Sequence, residues 1–205
     1  MVVITGRPAH EIAPLLDLNT PLEVWGLHGF ERLYPDGRRE RERLPEAVVG
    51  KLEELRAQLQ RDSFGGLFES KPNAAVMHWR GVPPAEAARI EQRARALFEP
   101  AAQINGFHLQ PFEAGLELRA GRDKGAAAAA LLAECADCSP IAFLGDDLTD
   151  EAAFRALKGR GLSILVRPEQ RETAADVWLR PPEEVKLFLE NWLRAIAKTS
   201  LERSE

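Results

Sequence analysis

Apolar positions change period along the chain, and each change predicts a different kind of element. The apolar run from Val2 to Ile4 predicts a strand, Thr5-Gly6-Arg7-Pro8 its exit loop, and Pro8 the first turn of a helix reaching about Leu16. Residues 22–28 and 30–34 predict extended segments around Gly26 and Gly29, followed by the turn Pro35-Asp36-Gly37. Over 45–59, Val48, Leu52, Leu55 and Leu59 recur at helical spacing, and a second amphipathic helix is expected over 84–98. Strands are expected at 66–69, 74–79, 107–110 and 115–119, which makes the middle of the chain α+β.

After Asp123 the elements alternate: helix 125–135, strand 141–144, helix 151–157, strands 162–166 and 177–179, and a last helix from about Pro182. Alternation of this kind predicts a parallel α/β sheet. On the last helix Val185, Phe188, Leu189, Trp192, Leu193 and Ile196 form one stripe, expected to pack on that sheet. The organisation is therefore an α/β core split by an α+β insertion between about Gly37 and Leu118.

At 205 residues the chain is long enough to bury a proper core. A net charge of −5 argues against a nucleic-acid partner, since binding a phosphate backbone draws on positive charge. The run Arg38-Arg-Glu-Arg-Glu-Arg43 alternates in sign and predicts a solvated surface. No apolar run approaches the roughly 20 residues of a membrane helix and no secretory signal is visible, so a cytoplasmic protein without a membrane partner is expected. Cys135 and Cys138 have a redox or half-zinc spacing, but at the end of a helix with no further ligands they read as two small, semi-buried residues.

Three places carry chemistry. In the first, a hydroxyl at a strand end followed by glycine, Thr5-Gly6-Arg7, offers an OH and free N–H groups to a phosphate oxygen, or Thr5 simply caps a helix. The second is Arg122-Asp123-Lys124-Gly125, where a lysine in a first helical turn opposes the helix dipole and calls for compensation. A bound anion or a carboxylate would supply it, as would local neutralisation by a capping Asp123. The third is the acidic loop Gly145-Asp146-Asp147-Leu-Thr-Asp150-Glu151 at the end of a buried strand, the edge where open α/β sheets bind ligands. Helix capping by Asp150, with Glu151 in the first turn, accounts for two of these acids. Adjacent Asp146 and Asp147 repel unless a cation is near, and clustered carboxylates suit Mg²⁺.

In order, Thr5-Gly-Arg, Lys124-Gly and Gly-Asp146-Asp147-Leu-Thr-Asp150-Glu resemble the second, third and fourth motifs of haloacid-dehalogenase-like phosphatases. Gly26-Leu-His28-Gly-Phe-Glu31, Glu69-Ser-Lys71, His78-Trp-Arg80 and Glu117-Leu-Arg119 extend the resemblance to the trehalose-6-phosphate phosphatase family. Trp79 stands where the family more often has Tyr. The resemblance implies a Rossmann-like parallel core, incomplete at the N-terminus, of residues 1–36 and 119–205, with an α+β cap of 37–118. It further implies Asp146 as a Mg²⁺ ligand, Asp147 as a second or water-mediated one, and Thr5 and Lys124 as holders of the transferring phosphoryl group. Glu69, Lys71 and Glu117 would grip sugar hydroxyls, with Arg7, His28, Glu31, His78 and Arg80 lining the pocket. The implied partner is a small sugar phosphate and the expected state a monomer.

The family's first motif, Asp-x-Asp-Gly-Thr, supplies the nucleophile, the general acid and another metal ligand. Residues 1–205 contain no such sequence. Without it no turnover is expected from the chain as it stands. A natural protein that begins further upstream is the leading expectation, ahead of a poorly folding remnant and of a truncated binder of sugar phosphate. Phosphatases of sucrose phosphate or mannosyl phosphoglycerate are the neighbouring alternatives.

Overall fold

Val2–Ile4 (β1) pairs in parallel with Glu23–Gly26 (β2), Val3 opposite Val24 and Ile4 opposite Trp25. The crossover is a 3-10 turn at Ala9–Glu11 and a short helix, Ile12–Leu16 (α1), with Pro8 at the N-cap. Burying Ala9, Ile12 and Val24 together holds this unit. The computed structural model describes residues 1–16, 20–61, 67–112, 114–135 and 140–202. Cys138 and the expected strand start at Gly66 lie outside the described residues.

The extended segment expected through His28 stops at Gly26. Leu27 and His28 are left-handed, with φ 51° and 62°, a conformation costing roughly 1–2 kcal/mol per non-glycine residue. Backbone bonds hold it there, Leu27 N–H to the Arg7 carbonyl at 3.0 Å and His28 N–H to the Thr5 carbonyl at 2.8 Å. Glu31–Leu33 (β3) and Arg39–Arg41 (β4) are neighbouring strands. β4 falls in the charged run expected to be surface, and all three of its residues are exposed.

By contacts the chain divides into two units: Met1–Gly29, Leu33–Gly37 and Arg122–Glu205 form the first, and Phe30–Arg32 and Arg38–Gly121 the second. The second unit carries Glu46–Arg61 (α2), Phe68–Lys71 (β5), Ala74–His78 (β6), Pro84–Ala102 (α3), Phe107–Phe112 (β7) and Gly115–Ala120 (β8). Its antiparallel sheet runs β5-β6-β8-β7. One face supplies Ala75, Met77, Leu116 and Leu118 to a core shared with Val48, Leu52, Leu55 and Leu59 of α2 and Ile90, Ala94 and Phe98 of α3. Helix α3 continues through Pro100 because Ala101 is still fully buried in that core.

The rest of the first unit is Lys124–Glu134 (α4), Ala142–Gly145 (β9), Glu151–Ala156 (α5), Leu162–Val166 (β10), Val177–Leu179 (β11) and Glu183–Glu202 (α6). These strands form a separate parallel sheet, β11-β10-β9. Gly125 lets α4 lie directly on α5, since a Cβ there would stand 2.8 Å from the Ala152 carbonyl oxygen. Phe143 and Phe154 meet edge to face at 5.7 Å. Two expectations fail in this unit. On α6, Val185, Phe188, Trp192 and Ile196 are half-buried, but Leu189 and Leu193 of the same stripe are 45% and 67% exposed. Cys135 is exposed where a semi-buried residue was expected. No described helix is long and apolar enough to cross a membrane.

Candidate active site

The acidic loop folds back on itself because Gly145 leaves room for Asp150. A Cβ at 145 would stand 2.5 Å from the Asp150 carboxyl carbon. Asp150 is buried and divides its carboxylate: Oδ1 accepts from Lys124 Nζ at 2.8 Å, and Oδ2 from the N–H groups of Asp146 at 3.0 Å and Asp147 at 2.9 Å. Asp150 is therefore not the side-chain cap expected for α5. Asp147 instead caps the 3-10 turn Leu148–Asp150 that leads into α5: its carboxylate accepts from Leu148 N–H at 2.6 Å and forms a capping box with Asp150. The Asp146 side chain is exposed and, among the described residues, has no hydrogen bond or ion pair.

Lys124 is buried beside this loop. Both explanations weighed for its position hold in part: Asp123 caps α4 by accepting from Ala126 N–H at 2.8 Å, while the compensating carboxylate is Asp150. Removing either partner of such a buried pair would strand a charge. The Thr5 loop reaches the same helix end by packing. Gly6 is pressed against His28, a Cβ there falling 2.7 Å from Nε2, and Gly29, with φ 105°, lies 3.1 Å (as a built Cβ) from the Asp123 carbonyl. Thr5 is no helix cap: its Oγ1 accepts from Arg7 N–H at 3.2 Å. Arg7 is exposed and 3.7 Å from Glu11.

Sequence reasoning missed a second layer beneath the loop. Arg167 donates to the Asp146 carbonyl at 3.1 Å and Arg171 to the Asp147 carbonyl at 2.9 Å. Arg171 is also paired with Glu151, which accepts from Thr173 Oγ1 at 2.8 Å and Ala174 N–H at 2.7 Å. Burial pushes the Glu151 carboxyl up, but the bonds from Ala174, Arg171 and Thr173 outweigh it and hold the group below its ordinary value. The only signal was a polar stretch with two arginines after β10, too common to single out.

In the second unit the register does the positioning. Glu69 stands opposite Val76, Val76 opposite Glu117, and Glu117 opposite Gln110, so these residues share the face turned away from the apolar core. On it Lys71 Nζ meets Glu117 Oε1 at 3.0 Å and His78 Nε2 meets Glu69 Oε2 at 2.8 Å. Glu117 is only 4% exposed. Arg80 is exposed in the turn after β6, and Glu31 is held on β3 by Arg41 at 3.2 Å.

Comparison with known proteins decides what this arrangement belongs to. The sequence profile described as Trehalose-phosphatase matches residues 1–182. The chain belongs to the trehalose-phosphatase family. It is 30% identical to the trehalose-phosphate phosphatase of Mycobacterium marinum, covering 92% of this chain and 50% of that protein. A probable trehalose-phosphate phosphatase of Oryza sativa is 37% identical over 61% of this chain and 36% of its own length. The chain thus spans about half the length of the curated relatives it matches. The solved trehalose-6-phosphate phosphatase of Aspergillus fumigatus superposes with a TM-score of 0.58 at 25% identity, over 87% of this chain and 72% of that one. A trehalose-6-phosphate phosphatase related protein reaches 0.70 at 24% identity, over 96% and 82%, and shows the shared fold.

Phosphatases of the haloacid-dehalogenase-like class generally use Mg²⁺, and the donor set allows one. Mg²⁺ keeps several waters and is held by one or two carboxylates together with substrate phosphate. Asp146 offers an unengaged carboxylate, Asp147 one already committed to capping, and Asp150 none. No described group of three His, Cys, Asp or Glu side chains makes a site by itself, so a family cation here would rest on Asp146 with ligands from elsewhere.

Proposed function

We propose that the chain acts as a trehalose-6-phosphate phosphatase, hydrolysing trehalose 6-phosphate to trehalose and phosphate as a cytoplasmic monomer. The observation that carries this reading is the Lys124–Asp150 pair set beside the unengaged Asp146 carboxylate, in a chain matched by the family profile over residues 1–182. Residues 1–36 and 119–205 act as the phosphatase core and 37–118 as the cap that selects the sugar. Lys124 donates one N–H to Asp150 and keeps two for phosphoryl oxygens. Thr5 adds its hydroxyl to the same group, and Asp146 holds the cation, with Asp147 as a second or water-mediated ligand. Bound Mg²⁺ would stabilise charge on the phosphoryl oxygens. Glu69, Lys71 and Glu117 bind sugar hydroxyls, and Arg7, His28, Glu31, His78 and Arg80 line the pocket.

Residues 1–205 lack the Asp-x-Asp-Gly-Thr nucleophile motif, so they have no turnover alone. Phosphate release from trehalose 6-phosphate with Mg²⁺ tests this, comparing residues 1–205 with a version extended upstream to the nearest earlier start codon. Activity in the longer version alone is expected; activity in the shorter one would show that the nucleophile has been misplaced. That missing motif also favours a second reading, a binder that retains sugar phosphate without hydrolysis. Silence of both versions together with heat of binding in calorimetry would establish it. Sucrose phosphate and mannosyl phosphoglycerate, run in the same assay, decide between related substrates.

A further inference from the structure

Sheet register leaves an aromatic ring on the side of the second unit that is turned away from its core. Along β7 the positions alternate: Phe107 and Leu109 pack in the apolar core, while Gln110 and Phe112 stand on the face that carries Glu69, Lys71, His78 and Glu117. Phe112 is half-buried there. It lies opposite Gly115 of β8, and Gly115 lies opposite His78 of β6. Because Gly115 has no side chain, the tip of the Phe112 ring takes the space a Cβ would fill. Reaching across β8 in this way, the ring meets that of His78 edge to face, centroids 5.4 Å apart. His78 in turn holds Glu69, and Glu117 is the next residue on the same face along β8.

We infer that Phe112 is a stacking platform for one pyranose ring of the sugar, its aromatic face receiving the ring's axial C–H groups while Glu69, Lys71 and Glu117 take the hydroxyls. The inference rests on the reading of the second unit as the part that selects the sugar, and adds to it a residue with no hydrogen-bonding group. The surroundings choose the ligand. An aromatic face carries negative charge density and attracts polarised C–H groups. A wholly apolar ligand laid on it would cover the neighbouring polar side chains without pairing them. An anion would meet the carboxylates of Glu69 and Glu117, and a cation would meet Lys71. A neutral pyranose with equatorial hydroxyls has C–H groups on its faces and oxygens around its rim, which matches an aromatic ring bordered by carboxylates, a lysine and an imidazole. Phe112 also shields the Gly115 backbone, a role aromatic residues take beside glycines in sheets, so shielding and stacking have to be separated by experiment.

The test is an NMR titration with trehalose of residues 1–205 and of the variants Phe112→Leu, which keeps an apolar cover over Gly115, and Phe112→Trp, which keeps an aromatic face. Amide signals of β6 and β8 report that each variant is folded. In the unaltered chain, C–H protons of one glucose ring should move upfield saturably, the ring-current mark of a sugar lying on an aromatic face. Phe112→Leu should abolish that movement and weaken binding roughly fivefold, the scale of one aromatic contact, whereas Phe112→Trp should retain both. Trehalose that perturbs Lys71 and Glu117 without an upfield movement, or that binds Phe112→Leu as tightly as the unaltered chain, overturns the platform and leaves the sugar-binding reading intact. The same movement with sucrose but not with trehalose keeps the platform and replaces the substrate. An absence of saturable change with either sugar overturns both.

Discussion

Strands β8 and β9 invert the usual relation between hydrophobicity and burial. β8 carries Glu117 and Arg119 and is buried at all its residues, whereas β9, Ala-Phe-Leu-Gly, has no charged residue and is half-exposed throughout. The difference is position. β8 has β6 on one edge and β7 on the other, and its apolar face lies in the core completed by α2 and α3. Among the described residues β9 has a partner on one edge only. Burial of a strand is thus conferred by neighbours, and an apolar sequence states only what the strand requires of them.

That contrast can be broken by substitution. The largest loss expected is from Lys124→Met, which strands Asp150 in a buried place; about 3–5 kcal/mol should go in urea denaturation, and Lys124→Met with Asp150→Asn should recover part of it. A loss below about 1 kcal/mol would mean the pair is solvated. Phe98→Ala, in the sealed core of the second unit, should cost about 3–5 kcal/mol. Ile4→Ala, on β1, removes a side chain of similar character but only half-buried, and should cost about 1–2 kcal/mol by the same measurement. Equal losses at 98 and 4 would erase the distinction between the units. Leu193→Ala should change stability by less than about 0.5 kcal/mol, as expected for an exposed position.

Acid should also act first on the first unit, by a smaller amount. The Glu151 carboxyl is depressed from its ordinary 4.5, and that of Asp176, through bonds from the Ser163 hydroxyl and N–H, from 3.8. A depressed carboxyl contributes stability that is present above its unfolded value and lost as pH falls through the folded one. Stability followed by circular dichroism should therefore decline below about pH 4.5, and Glu151→Gln should flatten the upper part of that decline. An unchanged profile in the variant would remove Glu151 from the account.

Periodicity located most elements of both units, though not the exposed strand β4, because it registers which residues need cover. It could not register whether cover is present: the stripe on α6 was legible, while the exposure of Leu189 and Leu193 depends on neighbours distant in sequence. The turn at Leu27–Gly29 was hidden for the same reason, since its left-handed residues are held by carbonyls of residues 5 and 7. In the site, the acidic loop and Lys124 were legible as unusual charges in costly places. Their division of labour was not: whether Asp147 or Asp150 caps depends on Gly145 and on a lysine 26 residues away. The arginines at 167 and 171 act through backbone carbonyls, which leave no mark on the residues they hold.

The register of the second unit's sheet has a consequence for how such a protein diversifies. Glu69, Lys71, Gln110 and Glu117 point one way, while Phe68, Met77, Leu116 and Leu118, on the alternate positions, point the other. Selection can therefore rewrite one set of letters without spelling errors in the other. New binding preferences become reachable by single steps through stably folded ancestors.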